Sequence, residues 1–304
     1  MPEALVNMMI GVLTRNQQGW ASTRLIEAIK ALGHTPLPFK FSDIVAFINE
    51  GGVKLFAKGA DLIKEVPAII VRPLGRSSLD QAIFRLDLLY ALHESGVEVI
   101  NRPSAIEKCT DKFRSLYILK MHGVPVPRTI VTERSSLALK GLDLLKSSDV
   151  VVKPVFGSRG HGSTRVRDRD VLWEVLRSMV FTRHVLYLQE FLPHKGIDIR
   201  AFILGDRVLA AMYRIAPADS WKTNVAQGAM PKRIDKLDPV IEDLALKAAK
   251  VLECEVAGVD IAVVKGSPYV LEVNSQPGWS GLQSVVEKNI AMEIVKYVVD
   301  KLKK

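Results

Sequence analysis

Three oxygen-bearing side chains fall where the chain otherwise reads as buried strand. Asp260 lies in "GVDIAVV", and Glu272 and Asn274 lie in "VLEVN". Side chains alternate along a strand, so Glu272 and Asn274 share a face, and Val270, Leu271 and Val273 are read as the packing residues. A carboxylate in apolar surroundings needs a basic partner or a metal ion. If the two strands meet as a hairpin, Asp260 comes beside Glu272 and Asn274. Three oxygen donors on adjacent strands suit Mg²⁺ completed by water and phosphate oxygens. Structural salt bridges are the competing reading. Neither strand contains Lys or Arg, which favours the metal.

A second group of residues points to phosphate. The loop "GSRGHG" places Gly157, Ser158, Gly160 and Gly162 at a hairpin tip. Glycines let backbone N–H groups approach phosphate oxygens, although glycine tips are common in hairpins generally. Lys153, in "VVVKPV" just before the loop, is an ammonium among valines, and a phosphate partner would explain it. Lys112, near a helix start, is a weaker candidate. "LYLQEFLPHKGIDIR" puts Gln189 and Glu190 at the end of an apolar strand before a hinge. That junction could supply an apolar slot and backbone hydrogen bonds for adenine, with Asp198 holding a ribose. Arg214, Lys222 and Asn224 are donors of the kind that steady a transferring phosphoryl group or an oxyanion. Arg72 and Arg76 in "VRPLGR" follow a strand's C-terminal end, where parallel sheets bind ligands. They are candidates for pairing with substrate carboxylates.

The elements that must hold these residues alternate in a readable way. Strands at 8–14, 67–73 and 97–101 alternate with helices at 22–32 and 78–96, predicting an α/β domain with a parallel sheet. Ser78 reads as an N-cap and Gly96 as the helix stop. "NRPS" reads as a turn, followed by a helix over 110–122. A strand, a short helix, the glycine hairpin, a helix at 170–180 and a strand at 185–192 form a central α+β unit. The rest reads as an antiparallel sheet with helices on one side: paired strands around Gly205, an irregular polar segment, a helix at 239–252, two more strands and a helix over about 284–303. The expected boundaries are 1–107, 108–193 and 194–304.

Composition narrows the partners. The 304 residues are 48% hydrophobic, too many for a disordered chain. No apolar run approaches the ~20 residues needed to span a bilayer, and the N-terminus lacks a signal-peptide pattern. Two cysteines, Cys109 and Cys254, make no disulfide framework and read as small buried hydrophobes of a cytoplasmic protein. A net charge of +9 points to anionic partners. Aromatic residues are only 7%, few for a nucleic-acid stacking surface, so a basic nucleic-acid-binding module is the weaker reading.

Taken in order, Lys112, Lys153, the glycine hairpin, "QEFL", "DIR", "WKTN", "VD" and "EVNSQPG" resemble the ATP-grasp ligases. The chain looks most like the RimK-type α-L-glutamate ligases, and within them the archaeal tetrahydromethanopterin:α-L-glutamate ligase branch. The resemblance implies an N-terminal Rossmann-like (pre-ATP-grasp) domain, a central α+β domain and a C-terminal antiparallel-sheet domain, with ATP between the last two. It implies that Lys112, Lys153 and the loop hold ATP phosphates, that the backbone at Glu190 and Phe191 reads adenine, and that Asp198 holds the ribose. Asp260, Glu272 and Asn274 would bind Mg²⁺ or Mn²⁺, Arg214, Lys222 and Asn224 would be catalytic, and Arg72, Arg76 and Arg200 would face the acceptor. The implied partners are a small carboxylate acceptor and L-glutamate, with no nucleic acid or membrane, in a homo-oligomer (dimer or tetramer). The same chemistry on an acidic carrier protein, a protein C-terminus or a deazaflavin coenzyme is the alternative. Gln227 and Ala229 depart from an Arg-Gly-Gly pattern of other RimK-type ligases, removing a charge near the substrate end.

Overall fold

The computed structural model describes residues 7–157 and 162–303. The first unit contains β1 (Met9–Leu13), α1 (Trp20–Ala31), β2 (Thr35–Phe39), β3 (Ile44–Asn49), β4 (Gly52–Ala57), β5 (Ala60–Asp61), α2 (Leu62–Glu65), β6 (Ala68–Val71), α3 (Leu79–Glu94) and β7 (Glu98–Ile100). Its parallel sheet runs β2-β1-β6-β7. β1 and β6 are apolar at nearly every position because the sheet is covered on both faces. Ser78 forms the expected capping box with Gln81, and Gly96 takes the left-handed conformation (φ +92°) that ends α3. By contrast, α1 starts at Trp20 behind Gly19 with no side-chain cap.

Two features of this unit went unread in the sequence. β3, β4 and β5 form a separate three-stranded antiparallel sheet. Its residues "IVAFINEGGVKLFA" lack the polar alternation of a half-buried sheet because β3 is exposed at every position after Ile44. The "NRPS" turn instead opens α4 (Pro103–Thr110), with Pro103 at the first turn, where its missing N–H costs nothing.

A second break separates α4 from α5 (Lys112–Met121). Asp111 leaves the helical conformation and accepts hydrogen bonds from the N–H groups of Phe113 and Arg114. The single helix expected over 110–122 therefore begins with a cap that fixes Lys112 at its first residue. The central sheet follows, with β8 (Thr129–Thr132), α6 (Ser135–Leu145), β9 (Val150–Lys153), β10 (Thr164–Val166), α7 (Arg169–Phe181) and β11 (Leu186–Glu190). Its strands run in the antiparallel order β10-β9-β11-β8.

The third unit begins with β12 (Ile197–Leu204) and β13 (Arg207–Ile215), joined at Gly205-Asp206. β14 (Met230–Ile234) lies within the segment expected to be irregular. It pairs with β13, which supplies the partner that the sequence pattern did not announce. α8 (Pro239–Val251), β15 (Val256–Val264), β16 (Ser267–Asn274), α9 (Ser280–Gln283) and α10 (Ile290–Leu302) complete it. The sheet order is β14-β13-β12-β15-β16, antiparallel throughout. α10 turns Ile290, Ile294, Val295, Val298 and Val299 inward against Ile10, Leu25 and Ile29 of the first unit. Each such buried side chain contributes about 1.5–3 kcal/mol of transfer free energy. The chain's last helix thus ties its first sheet to its last.

Candidate active site

β15 and β16 do form a hairpin, and Asp260 faces Glu272 across it. Asn274 pairs with Gly258, two positions along the same ladder. The register slips between Asp260 and Ile261, so that Ile261 opposes Val270. This bulge turns Leu271, expected in the core, toward the cleft, whereas Val270 and Val273 are buried as expected.

The basic partners missing from these two strands come from their neighbours. β12 places Arg200 opposite Asp260, and β13 places Arg214 opposite Asp198. Arg200 donates to both Asp260 oxygens, its Nη2 at 2.9 Å from Oδ2. Arg214 Nη2 lies 3.0 Å from Asp260 Oδ2 and 2.6 Å from Asp198 Oδ2, and Arg214 Nε donates to Asp198 Oδ1 at 2.7 Å. The Thr223 hydroxyl donates to Asp198 Oδ2 at 2.5 Å. Burial pushes the Asp260 carboxyl up, but Arg200 and Arg214 outweigh it and hold the pKa below the ordinary range. Burial likewise opposes charge on Arg214, yet Asp260 and Asp198 keep it firmly protonated.

The opposite wall carries the lysines. Lys112 Nζ reaches the Gly157 carbonyl at 2.7 Å and lies 3.7 Å from Glu272 Oε1. Lys153 Nζ donates to Gln189 Oε1 at 2.6 Å. Burial lowers the Lys153 pKa to about 8; Lys112 adds to the effect, and Glu272 and Asp260 oppose it. Between the walls lies a cleft of about 670 Å³, counted with the solvent at its mouth. Lys112, Lys153, Gly157, Asp198 and Arg214 line it, as do Lys222, Asn224, Asp260 and Glu272. So many charged groups around one concavity suit a charged ligand rather than an apolar one.

Other expected site residues are already engaged or lie elsewhere. Asp198 lines the cleft, but its oxygens already accept from Arg214 and Thr223, which makes it the support of Arg214. Arg200 is committed to Asp260 and lies outside the cleft lining. Arg72 is buried, with its guanidinium 4.6 Å from the Trp279 ring centre and Nη2 donating to the Pro277 carbonyl at 3.0 Å. Trp279 itself is core, packed edge-on against Trp20 and Phe202. Arg76 is exposed at a turn. The N–H groups of Glu190 and Phe191 donate to the carbonyls of Arg128 and Asp149, and the Glu190 carboxylate pairs with Arg128. Phe191 carries the Arg165 guanidinium 3.3 Å from its ring centre. Gly162 is left-handed at φ +76°, and Ser158 and Gly160 lie outside the described residues.

Two residues at or behind the site escaped the sequence. His194, read only as part of a hinge, lines the cleft; its buried Nδ1 has no hydrogen-bond partner among the described residues, and burial lowers its pKa. Asn101 is fully buried behind the hairpin. Its Nδ2 donates to the carbonyls of Val256 (2.7 Å) and Ser275, and its Oδ1 accepts from the N–H groups of Glu255 and Val256, each at 2.8 Å. A polar residue closing an apolar strand was its only sequence signal.

The donor chemistry can be weighed against a divalent cation. Asp260, Glu272 and Asn274 offer two carboxylates and an amide oxygen, the hard donors Mg²⁺ requires; Asp260 and Glu272 line the cleft, whereas Asn274 lies outside its lining and its Nδ2 donates to the Gly258 carbonyl at 3.4 Å. Asp260 keeps lone pairs beyond those its arginines use, since an ionised carboxylate has about four acceptor sites. In donor type the set fits the ion.

Residues 109–298 match the family described as the RimK-like ATP-grasp domain, and residues 8–106 match the RimK PreATP-grasp domain. The chain belongs to the RimK-like ATP-grasp family. A relative from Methanocaldococcus jannaschii named tetrahydromethanopterin:alpha-L-glutamate ligase is 36% identical, over 86% of this chain and 88% of its own. The protein of that name from Methanosarcina acetivorans is 30% identical over 95% and 98%. A probable alpha-L-glutamate ligase from Aliivibrio fischeri is 30% identical over 96% and 95%. Among solved structures, the ATP-grasp ligase PsnB with a precursor variant, Mg and ADP superimposes with a TM-score of 0.73 over 99% of this chain and all of that one, at 20% identity. The D-cycloserine synthetase DcsG gives 0.73 over 97% and 100%, at 18% identity. These two likenesses establish the fold. As a RimK-like ATP-grasp protein with ligases as its curated relatives, the chain is an ATP-dependent ligase.

Proposed function

We propose that this enzyme joins the amine of L-glutamate to a carboxylate of a small-molecule acceptor, a tetrahydromethanopterin-type coenzyme, with ATP converted to ADP and phosphate. The observation that carries this reading is the cleft in which Lys112, Lys153, Arg214 and Lys222 face Asp260 and Glu272. Activating a carboxylate with ATP brings two anions together, so the site must supply positive charge fixed in place beforehand. The names of the curated relatives supply the substrate class.

The acceptor carboxylate attacks the γ-phosphorus and expels ADP, leaving an acyl-phosphate. The glutamate amine attacks its carbonyl carbon, and the tetrahedral adduct collapses to an amide and phosphate. Lys112, Lys153 and the N–H groups around Gly157 hold the phosphates. Arg214, Lys222 and Asn224 steady the transferring group and the acyl-phosphate. Asp198 and Thr223 fix the Arg214 fork, so its direction is set before substrate arrives. Asp260, Glu272 and Asn274 would hold Mg²⁺, which supplies charge neutralisation on the phosphates. Mn²⁺, with the same preference for oxygen donors, is expected to substitute. Because Arg72 is held under Trp279, acceptor recognition falls to cleft residues rather than to Arg72.

The test is ADP release from Mg-ATP with L-glutamate, across reduced pterin, deazaflavin and acidic carrier-protein acceptors, with mass analysis of the product. Release that needs the pterin and adds one glutamate mass to it supports the proposal. Activity only with another acceptor changes the substrate but keeps the chemistry, and no release with any acceptor overturns the substrate assignment.

A further inference from the structure

Cys109 and Cys254 are the chain's two cysteines, and neither lines the cleft. They stand 145 residues apart in sequence, yet their sulfurs are 3.4 Å apart. Cys109 lies in the last turn of α4 and is half-buried; Cys254 lies between α8 and β15 and is buried. Flanking contacts hold the two segments together. Lys108 Nζ is 2.8 Å from Glu253 Oε1, and the Ser104 hydroxyl donates to Glu253 Oε2 at 2.7 Å. The Cys254 N–H donates to the Ala249 carbonyl at 2.9 Å, which fixes that thiol relative to α8. Both thiols belong to the same apolar cluster, which holds them sulfur to sulfur. A bond of about 2 Å needs the sulfurs to close by little more than one ångström, a change that side-chain rotation can supply.

We propose that Cys109 and Cys254 form a site of reversible covalent modification, an intramolecular disulfide made by exchange with a low-molecular-weight disulfide. Cys109 is the more accessible of the two and reacts first. It loses its proton to solvent, and the thiolate attacks one sulfur of the reagent. The reagent's S–S bond breaks, leaving a mixed disulfide on Cys109 and a thiolate that takes up a proton. Cys254 then loses its proton and attacks the Cys109 sulfur, expelling the second thiol. Two protein thiols are oxidised by two electrons in all, and one reagent disulfide is reduced to two thiols. In the dithiol state the hydrogen bond to Cys109, and then burial, raise the Cys254 pKa; once Cys109 carries the mixed disulfide, burial still disfavours the Cys254 thiolate, so the second step quickens with rising pH. The bond would tether α4, which leads through Asp111 to Lys112, to the start of β15, which carries Asp260. It would close a long loop and restrict the unfolded chain.

The full-length protein is equilibrated with mixtures of oxidised and reduced glutathione, acid-quenched, alkylated and analysed by intact mass and peptide mapping. The expected product is about 2 Da lighter than the reduced protein, the loss of two hydrogens. It has no alkylated cysteine, yields a peptide pair joining Cys109 to Cys254, and unfolds at a higher temperature. Cys254→Ser should stop at a glutathione adduct on Cys109, Cys109→Ser should give no cross-link, and reduced ATP turnover should change less than about twofold in either. Wild-type protein that keeps both thiols alkylatable, stops at the Cys109 adduct, or cross-links only between chains overturns the proposal.

Discussion

Lys153 holds its charge at a cost. Burial sets its pKa at about 8 in the folded chain, against 10.5 for the free side chain. Between those values the unfolded chain binds more protons than the folded one, so this group makes the fold more stable as pH rises through that window. Nucleotide affinity should move the other way, because the deprotonated amine no longer pairs with phosphate. Calorimetric titration with Mg-ADP should therefore show binding weakening by up to about tenfold per pH unit above pH ~8. Lys153→Arg, which stays charged, should flatten that dependence; a flat wild-type profile would remove Lys153 from the phosphate site. The two metal-candidate carboxylates should separate in the same spirit. Asp260→Asn leaves Arg200 and Arg214 without their shared counter-charge and should destabilise the fold by about 3–5 kcal/mol in urea titration. Glu272 is partly open to the cleft, with 30% of its side-chain surface exposed. Glu272→Gln should cost less than about 1 kcal/mol of stability, while lowering Mg-dependent turnover by about 10²–10³-fold. Unchanged turnover in Glu272→Gln would sink its place in the site.

At the scale of elements, the hairpin of β15 and β16 depends on what lies behind it. Asn101, just after β7, holds the chain entering β15 and the chain leaving β16 with one side chain. Asn101→Ala would strand two N–H and two carbonyl groups in an apolar setting and should cost about 2–4 kcal/mol, measured as a shift in the urea midpoint. Gly258 is a second constraint. A Cβ there would meet Arg200 Nη1 at 2.7 Å and Pro277 Cβ at 3.0 Å. Gly258→Ala should displace the Arg200 fork and lower activity more than stability, and an active Gly258→Ala enzyme would show that the fork tolerates movement. These supports explain what the sequence could and could not convey. The apolar runs at 67–73, 198–205 and 255–264 announced their strands because burial on both faces leaves little choice of residue. The sharing of a face by Glu272 and Asn274 follows from strand alternation alone. Arg200 and Arg214 were not legible as the partners of Asp260, because pairing between β12, β13 and β15 is set by sheet order rather than by local sequence. Arg72 misled for the same reason: a strand end that faces ligand in an isolated parallel sheet here meets Trp279 from a distant loop.

The whole molecule brings one ligand site out of two sheets. Lys153 comes from the central sheet, whereas Arg214, Asp260 and Glu272 come from the C-terminal sheet, and Lys112 starts the helix between them. The first unit is bound to the last through α1 and α10, which share one apolar core. A nucleotide that touches both walls links their stabilities, and its effect follows from mass action: about 2.7 kcal/mol at a concentration 100 times Kd. In a chain of this size each kcal/mol moves the midpoint by about 1.5–2 °C, so Mg-ADP at that concentration should raise Tm by about 4–5 °C. The direction of the metal dependence is the sharper part. Glu272→Gln should keep the ligand-free Tm but lose most of the rise that Mg²⁺ adds over ADP alone, because its wall no longer offers the second carboxylate. Raising salt should reduce the remaining rise, since lysine–phosphate attraction in an open cleft is screened over about 8 Å at physiological ionic strength. A Tm insensitive to Mg-ADP in the wild-type protein, under conditions where calorimetry shows binding, would mean that the observed transition unfolds a part of the chain that does not carry the nucleotide, so the two sheets do not unfold together.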